Sequence, residues 1–423
     1  MQPVLPVKRA ARWALVVILI LAAIAAVLAG AFLRLVPDDE ELASRIAAAA
    51  GQNLGVKVTV GAAHLRLWPQ PEFVLADVAT VQPQPIILKR VVARPRLREL
   101  LENRLSFRHA EIDGAVMPLL SLHGLHVNPA APRASVPVPL ERLDFRHLTW
   151  ITRLGKELEF DGSALFDIGW QPREAELVRP GVQPAFRLTL ERQETDHWHI
   201  RSQLGGGIAD GQVALSRGKD GRLQLSGQLA PTNVEVASAL DAFKSHSAVR
   251  GKASGKTQLS AGGENVAQLA GSLHTRTSFS MESATLLHID VDKAIRSFGK
   301  DFAGETRLHG LTGQMDTQNT PDGLVVRYSS LQAKGDTFSA KGEGTVANRR
   351  IDGEASVDLV GGLVGVPLKV SGPLGHAHVS VERTAVAGEA AGAVAGTAVL
   401  PGIGTAVGAA LGKMLGAGAA KKK

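Results

Sequence analysis

Leu223-Gln224-Leu225-Ser226-Gly227-Gln228-Leu229 sets leucine against polar residues at alternate positions, with Arg222 leading into it. Successive side chains of an extended strand face opposite sides of a sheet, so this period gives one apolar face and one wet face. The same grammar recurs in Phe186, Leu188 and Leu190, interleaved by Arg187, Thr189 and Glu191, and in Trp198, Ile200 and Leu204 against His199, Arg201 and Gln203. It returns in Leu324, Val326 and Tyr328 against Val325, Arg327 and Ser329. Asp210-Gly211, Asp220-Gly221 and Asp322-Gly323 read as hairpin turns, which favours antiparallel neighbours over helix-connected parallel ones. The expected fold is mainly β, built on an antiparallel sheet with a few short helices.

Three helix starts interrupt the alternation. Asp38 is expected as an N-cap, with Glu41 reaching back to it, Leu42 and Ile46 forming the apolar stripe and Gly51 stopping the helix. Thr232 with Glu235 forms a capping box ahead of Val236, Leu240 and Phe243, and Asp290 precedes Val291, Ile295 and Phe298, closed by Gly299. The last two helices are expected to plug an end of the sheet or cover its apolar face.

Working outward, the two ends of the chain differ from the body. Residues 13–33, from Trp13 through Leu19 and Ile20 to Leu33, form an uncharged run that as a helix spans about 31 Å, the thickness of a bilayer core. Lys8, Arg9 and Arg12 precede it and Asp38, Asp39, Glu40 and Glu41 follow, so the positive-inside rule places the N-terminus in the cytoplasm and everything after Leu35 is expected to be exported. The competing reading is a cleaved signal peptide with Ala29-Gly30-Ala31 as its site, but the apolar run exceeds the usual core of about 7 to 15 residues.

In the tail, Gly388, Gly392, Gly396, Gly404, Gly408, Gly412 and Gly416 keep a spacing of four, broken only at Leu400. Residues four apart share a helical face, so this stripe lets another helix approach closely, and Pro401-Gly402 divides it into a helical hairpin. A flexible Ala/Gly tail is the alternative reading; the register and the near absence of charge favour helix packing in a membrane or between copies.

The net charge of +7 belongs to these ends, because three positives lie in residues 1–12 and a net three in residues 385–423. The body is close to neutral and the chain has few aromatics, so a nucleic-acid surface is disfavoured. With no cysteine there is no disulfide, thiolate metal site or cysteine nucleophile. Gly251-Lys252-Ala253-Ser254-Gly255-Lys256-Thr257 falls short of a phosphate loop, since Arg250 stands where the first glycine belongs and no helix follows. His197 with His199, and His376 with His378, share a strand face but have no third ligand in view; His123 with His126 reads likewise as surface. No nucleophile elbow occurs, so a non-enzymatic protein without metal or cofactor is expected. Pro129, Pro132, Pro137 and Pro139 mark a linker. The expected organisation is a basic tip (1–12), a transmembrane helix (13–35), an N-terminal β module (36–128), the linker (129–140), a repetitive sheet domain (141–384) and the tail (385–423).

The order of pieces resembles the AsmA-like family of envelope proteins. After the apolar span and short helix come Gly55-Val56-Lys57-Val58-Thr59-Val60-Gly61, Leu65-Arg66-Leu67-Trp68-Pro69 and Leu75-Ala76-Asp77-Val78, similar to the family's opening. Residues 95–105 and Ala110-Glu111-Ile112-Asp113-Gly114 look like its continuation. Phe302-Ala303-Gly304-Glu305-Thr306, Leu311, Lys341-Gly342-Glu343-Gly344-Thr345-Val346 and residues 366–374 resemble its C-terminal module. His376-Ala377-His378 departs from the Asp-Pro pair common there. The resemblance implies a protein anchored in the inner membrane, reaching into the periplasm with an elongated, curved, groove-like sheet, and acting in outer-membrane biogenesis and lipid transport. Phospholipid and other envelope proteins are the implied partners, the latter by strand addition if the protein is instead an assembly factor. Phe186, Leu188, Leu223, Leu225, Val326 and Tyr328 are the candidate lipid-facing residues. Either a closed core or an open groove satisfies such a face.

Overall fold

The computed structural model describes residues 38–381, apart from residues 126–138, 361–364, 374–377 and shorter breaks in loops. The expected span at 13–35, the glycine-patterned tail and most of the proline-rich linker lie outside the described residues. Among the described residues no helix is long and apolar enough to cross a membrane.

The chain opens with α1 (Asp39–Leu54) and a four-stranded meander, β1 (Val58–Arg66), β2 (Glu72–Thr80), β3 (Ile87–Pro95) and β4 (Phe107–Pro118), closed by a 3₁₀ turn at Leu119–Gly124. Next come β5 (Leu140–Ile151), β6 (Glu157–Phe166), β7 (Pro172–Arg179), β8 (Phe186–Glu194), β9 (His197–Leu204), β10 (Gly207–Arg217) and β11 (Leu223–Thr232). A stretch broken by helices holds β12 (Val234–Glu235), α2 (Val236–Asp241), β13 (Val249–Arg250), β14 (Lys252–Gly263), α3 (Val266–Gly271), β15 (His274–Met281), β16 (Ala284–Leu286) and α4 (Val291–Arg296). The chain finishes with β17 (Thr306–Thr320), β18 (Gly323–Gly335), β19 (Phe338–Ala347), β20 (Arg350–Leu359), β21 (Val366–Pro373) and β22 (His378–Val381).

The strands form a single curved, unclosed sheet. Neighbours in sequence pair antiparallel from β1 to β4 and from β5 to β11; β11 then pairs with β14, β14 with β15 and β15 with β17, and the meander resumes to β22. One pairing is parallel, β4 with β5, with Ile112 opposite Phe145. Strands joined in parallel need a long connection, and 21 residues, 119–139, separate β4 from β5 in the sequence. The sheet is therefore continuous from β4 to β5.

Three local expectations are corrected. Asp38 sits at the N-cap of α1, but its side chain makes no capping bond; Glu41 pairs with Arg45 and Asp39 with His64 instead. The helix passes Gly51, because one interior glycine costs only about 1 kcal/mol and Leu54 still packs in the core; Gly55, at φ 67°, ends it. Thr232 is the last residue of β11, and Glu235 itself caps α2, accepting from the Ser238 N–H at 2.7 Å and the Gly251 N–H at 2.8 Å. Burial opposes the Glu235 charge, yet these N–H groups hold its carboxyl below the usual range. Asp210-Gly211 lies inside β10 and not in a turn; the reversal is made by Gly205-Gly206, both at positive φ, between Leu204 and Gly207. The cap at Asp290 is as expected, accepting from the Lys293 N–H at 2.9 Å.

Two packed cores hold the ends of the sheet. The first places Leu42, Ile46 and Leu54 of α1 on Leu75, Val91 and Ile112 of the opening meander; the second places Val291 and Ile295 of α4 on Leu308, Val357 and Val370. Full burial of each such side chain stabilises by about 1.5–3 kcal/mol. Between them Gly211 lets strands coil tightly, since a Cβ there would lie 1.9 Å from the Gln228 carbonyl oxygen. Gly211→Val is expected to lower stability by about 1–3 kcal/mol, as overpacking against backbone does, while Gly271→Ala, with nothing within 4 Å, stays within about 0.5 kcal/mol of the parent. Thermal unfolding followed by far-UV circular dichroism distinguishes the two.

Candidate functional site

Register keeps the apolar faces of successive strands in phase. Leu177 stands opposite Leu188, Leu190 opposite Ile200, Trp198 opposite Val213, Leu215 opposite Leu225 and Met315 opposite Tyr328. From β8 to β18 the face crosses seven pairings, about 34 Å at about 4.8 Å per pairing. In this middle stretch Leu188, Leu190, Ile200, Leu229, Leu259 and Phe279 are only half-buried, in contrast to the sealed cores at either end.

The six candidate residues share this face but fall into three groups. Phe186 and Leu188 pack with Leu158, Phe160 and Phe243; Leu223 and Leu225 pack with Trp198, Leu215 and Leu269 of α3; Val326 and Tyr328 border the second core. Phe186 and Leu223 are buried, while Leu188, Leu225, Val326 and Tyr328 are half-covered. Leu324, expected on the same face, is exposed at the start of β18. Burial pushes the Tyr328 phenol up to about 12, so it stays a neutral hydroxyl. The buried Trp198 indole donates to the Pro172 carbonyl at 3.0 Å, which satisfies the one polar atom of its ring.

The sequence patterns for Leu190, Ile200 and Leu204 extend to this face, and Phe243, read from the helical pattern after Glu235, packs on it, but Phe145, Trp150 and Leu177, which also pack with Phe186, had no comparable signal. Phe145 and Trp150 lie on either side of the irregular register near His147, at φ 51°, and Phe243 follows the end of α2.

Polar side chains gather on the opposite face as pairs. The phosphate-loop-like run lies at Gly251 and in the extended β14, with no helix opening from it. His197 is exposed, and His199 Nε2 lies 3.0 Å from Asp210 Oδ1. His378 is exposed in β22; His376 and His126 lie outside the described residues. Among the described residues no three His, Asp or Glu side chains gather in a metal-binding group. His109 with Asp144, His274 with Asp316 and His147 with Asp113 repeat the His–Asp pairing across strands, at 2.7, 2.9 and 2.8 Å. Such pairs tie neighbouring strands on the wet side.

No protein-family model, no curated protein and no solved structure matches this chain. The geometry of the face and of its flanks therefore carries the functional argument.

The His147–Asp113 pair gives a direct check on the outer face. The hydrogen bond to Asp113 raises the His147 pKa, and the same bond lowers that of Asp113. The histidine's contribution is complete below about 6.5 and is lost as pH rises through its raised folded value; the carboxylate's is complete above about 3.9 and is lost as pH falls through its lowered value. The pair therefore supports the fold most between about pH 4 and 6.5. Asp113→Asn is expected to return the His147 midpoint to about 6.5 in an NMR titration; an unchanged raised midpoint would show that Asp113 is not its cause.

Proposed function

We propose that this chain is an inner-membrane-anchored periplasmic protein of AsmA-like type that shelters phospholipid acyl chains along its apolar sheet face and so serves lipid homeostasis of the cell envelope, without catalysing a reaction. The observation that carries this reading is the half-covered apolar strip between two sealed cores. Covering it gains about 25 cal/mol per Å² of apolar surface removed from water, and the chain's own helices cap only parts of it. A flexible hydrocarbon chain suits a long apolar strip, here interrupted by hydroxyls such as the mutually hydrogen-bonded Thr257 and Thr277.

The flanks fit the same reading. The uncharged run at 13–33 and its basic and acidic borders supply an anchor with the body outside. Asp39 at the start of α1 pairs with His64 near the end of β1, so the start of this helix lies beside the β1–β2 tip, where Trp68 is 84% exposed. Tryptophan favours the interfacial layer of a membrane. The glycine-patterned tail joins at the other end of the strand order, after β22.

A second reading, an assembly factor acting by strand addition, is favoured by one observation. The sheet is unclosed, and β1 and β22 each pair with a single strand among the described residues. Backbone groups on such edges can accept a strand from a partner.

Native mass spectrometry of the full chain, purified from membranes in mild detergent, separates the two. Phospholipid at fixed stoichiometry is expected, and Leu225→Glu, which places a charge on the strip, is expected to reduce bound lipid at least tenfold while leaving the circular dichroism spectrum unchanged. A variant that carries lipid at the parent level would remove the strip from the binding site; a lipid-free parent would shift the assignment to strand addition.

A further inference from the structure

Arg179, the last residue of β7, is 8% exposed, and neither its Nε nor its Nη1 has a hydrogen-bond partner among the described residues. Its place follows from alternation: Ala175 and Leu177 on the same strand face the apolar side, and Arg179 is next in phase. It stands opposite Phe186 of β8. The register of β6 with β7, Asp161 opposite Val178, sets Phe160 on its other flank when carried one residue further. Phe160 and Phe186 are buried with ring centroids 6.3 Å apart, and Phe243 lies 5.2 Å from Phe186. The guanidinium is thus set into an aromatic part of the apolar face.

Among the described residues no carboxylate pairs with it. Glu157, Glu159 and Asp161 of β6 and Glu176 of β7 alternate onto the opposite face, where Glu176 pairs with Arg187 and Asp161 accepts from the His147 N–H. Burial lowers the Arg179 pKa, but a guanidinium remains charged at neutral pH. An unpaired buried charge is strongly unfavourable, and buried donors without acceptors call for a missing partner.

A second cation adjoins the same end of the face. Lys156, just before β6, donates through Nζ to the Lys244 carbonyl at 2.6 Å and to Ser245 Oγ at 3.0 Å, both neutral oxygens. Lys244 and Ser245 directly follow Phe243. Two cations, neither paired with a carboxylate among the described residues, therefore border the strip.

We propose that Arg179 binds the phosphate of a phospholipid whose acyl chains lie along the apolar strip, making this end of the face, which Lys156 also borders, a headgroup site. The assignment rests on the reading of the strip as a lipid-binding surface. A phosphate supplies a full negative charge and several acceptors, which the guanidinium fork matches. An amphiphile is required because the same residue is enclosed by apolar neighbours.

The test uses full-chain protein in nonionic detergent and a fluorescent tail-labelled lipid, displaced in turn by phosphatidylglycerol and by diacylglycerol. The parent is expected to prefer phosphatidylglycerol at least tenfold. Arg179→Met is expected to reduce that preference to below about threefold with an unchanged or raised melting temperature, since an unpaired buried charge is removed. Lys156→Met, a second variant at the exposed rim of the site, is expected to reduce it severalfold. If both variants keep the parent's preference, the headgroup site is wrong while the strip still binds lipid. If the parent binds neither lipid, the strip reading fails and this inference with it. A parent stabilised by inorganic phosphate that does not bind phosphatidylglycerol would mark a free-anion site, and Arg179-dependent binding of a fatty acid in its place would mark a carboxylate site; either overturns the phospholipid assignment.

Discussion

Among the described residues the sheet presents more apolar face than there is helix to cover it. Every strand from β6 to β21 puts one row of side chains on the same side, because the pairings hold the alternation in phase from strand to strand. A one-residue slip at any pairing would turn an entire row to water. Phase is therefore strongly selected by burial at the ends, where α1 and α4 complete sealed cores. Through the middle, α2 and α3 are six residues each, long enough to cap a cluster and too short to roof a strip of seven strand spacings. The open middle is a consequence of helix length, not of weak patterning.

Curvature follows from the same face. Where an inward position carries glycine, a neighbouring strand or a large side chain moves into the space. Gly162 is covered by Phe145, and Gly313 has Leu331 and Phe279 against it. These exchanges pack large residues over small ones and let the sheet coil without voids. The wet face is held differently, by short His–Asp and Arg–carboxylate pairs across strands. Most of these pairs are exposed, so each adds little stability, but together they satisfy the polar groups that alternation puts there.

Much of this architecture was legible in the sequence because period two is a strong local signal. The strands through Phe186, Trp198, Leu223 and Val326, and the cap at Asp290, follow from a few neighbouring residues. What was not legible depends on partners distant in sequence. Asp210-Gly211 has turn chemistry, yet its glycine serves a close strand crossing while Gly205-Gly206 makes the turn. Thr232 has a capping hydroxyl, but the strand claims it, and Glu235 finds a second donor, Gly251, sixteen residues on. The parallel pairing of β4 with β5 joins strands on either side of residues 119–139, and no local pattern announces it. The N-terminal span and the tail, the clearest compositional features, lie outside the described residues.

Arg179 shows how a local rule and its violation together carry information. By composition, Glu174-Ala175-Glu176-Leu177-Val178-Arg179 ends in an ordinary solvated charge. Alternation from Ala175 and Leu177 already assigns the arginine to the apolar side, and only pairing with Phe160 and Phe186 makes the assignment costly. A surface arginine in this sheet finds a carboxylate on the next strand, as Arg187 does with Glu176. Arg179 cannot, because the acids on its neighbours are out of phase with it by one residue. The period that builds the apolar face is also what leaves this cation without an internal partner among the described residues, so the charge and the strip beside it arise from a single constraint.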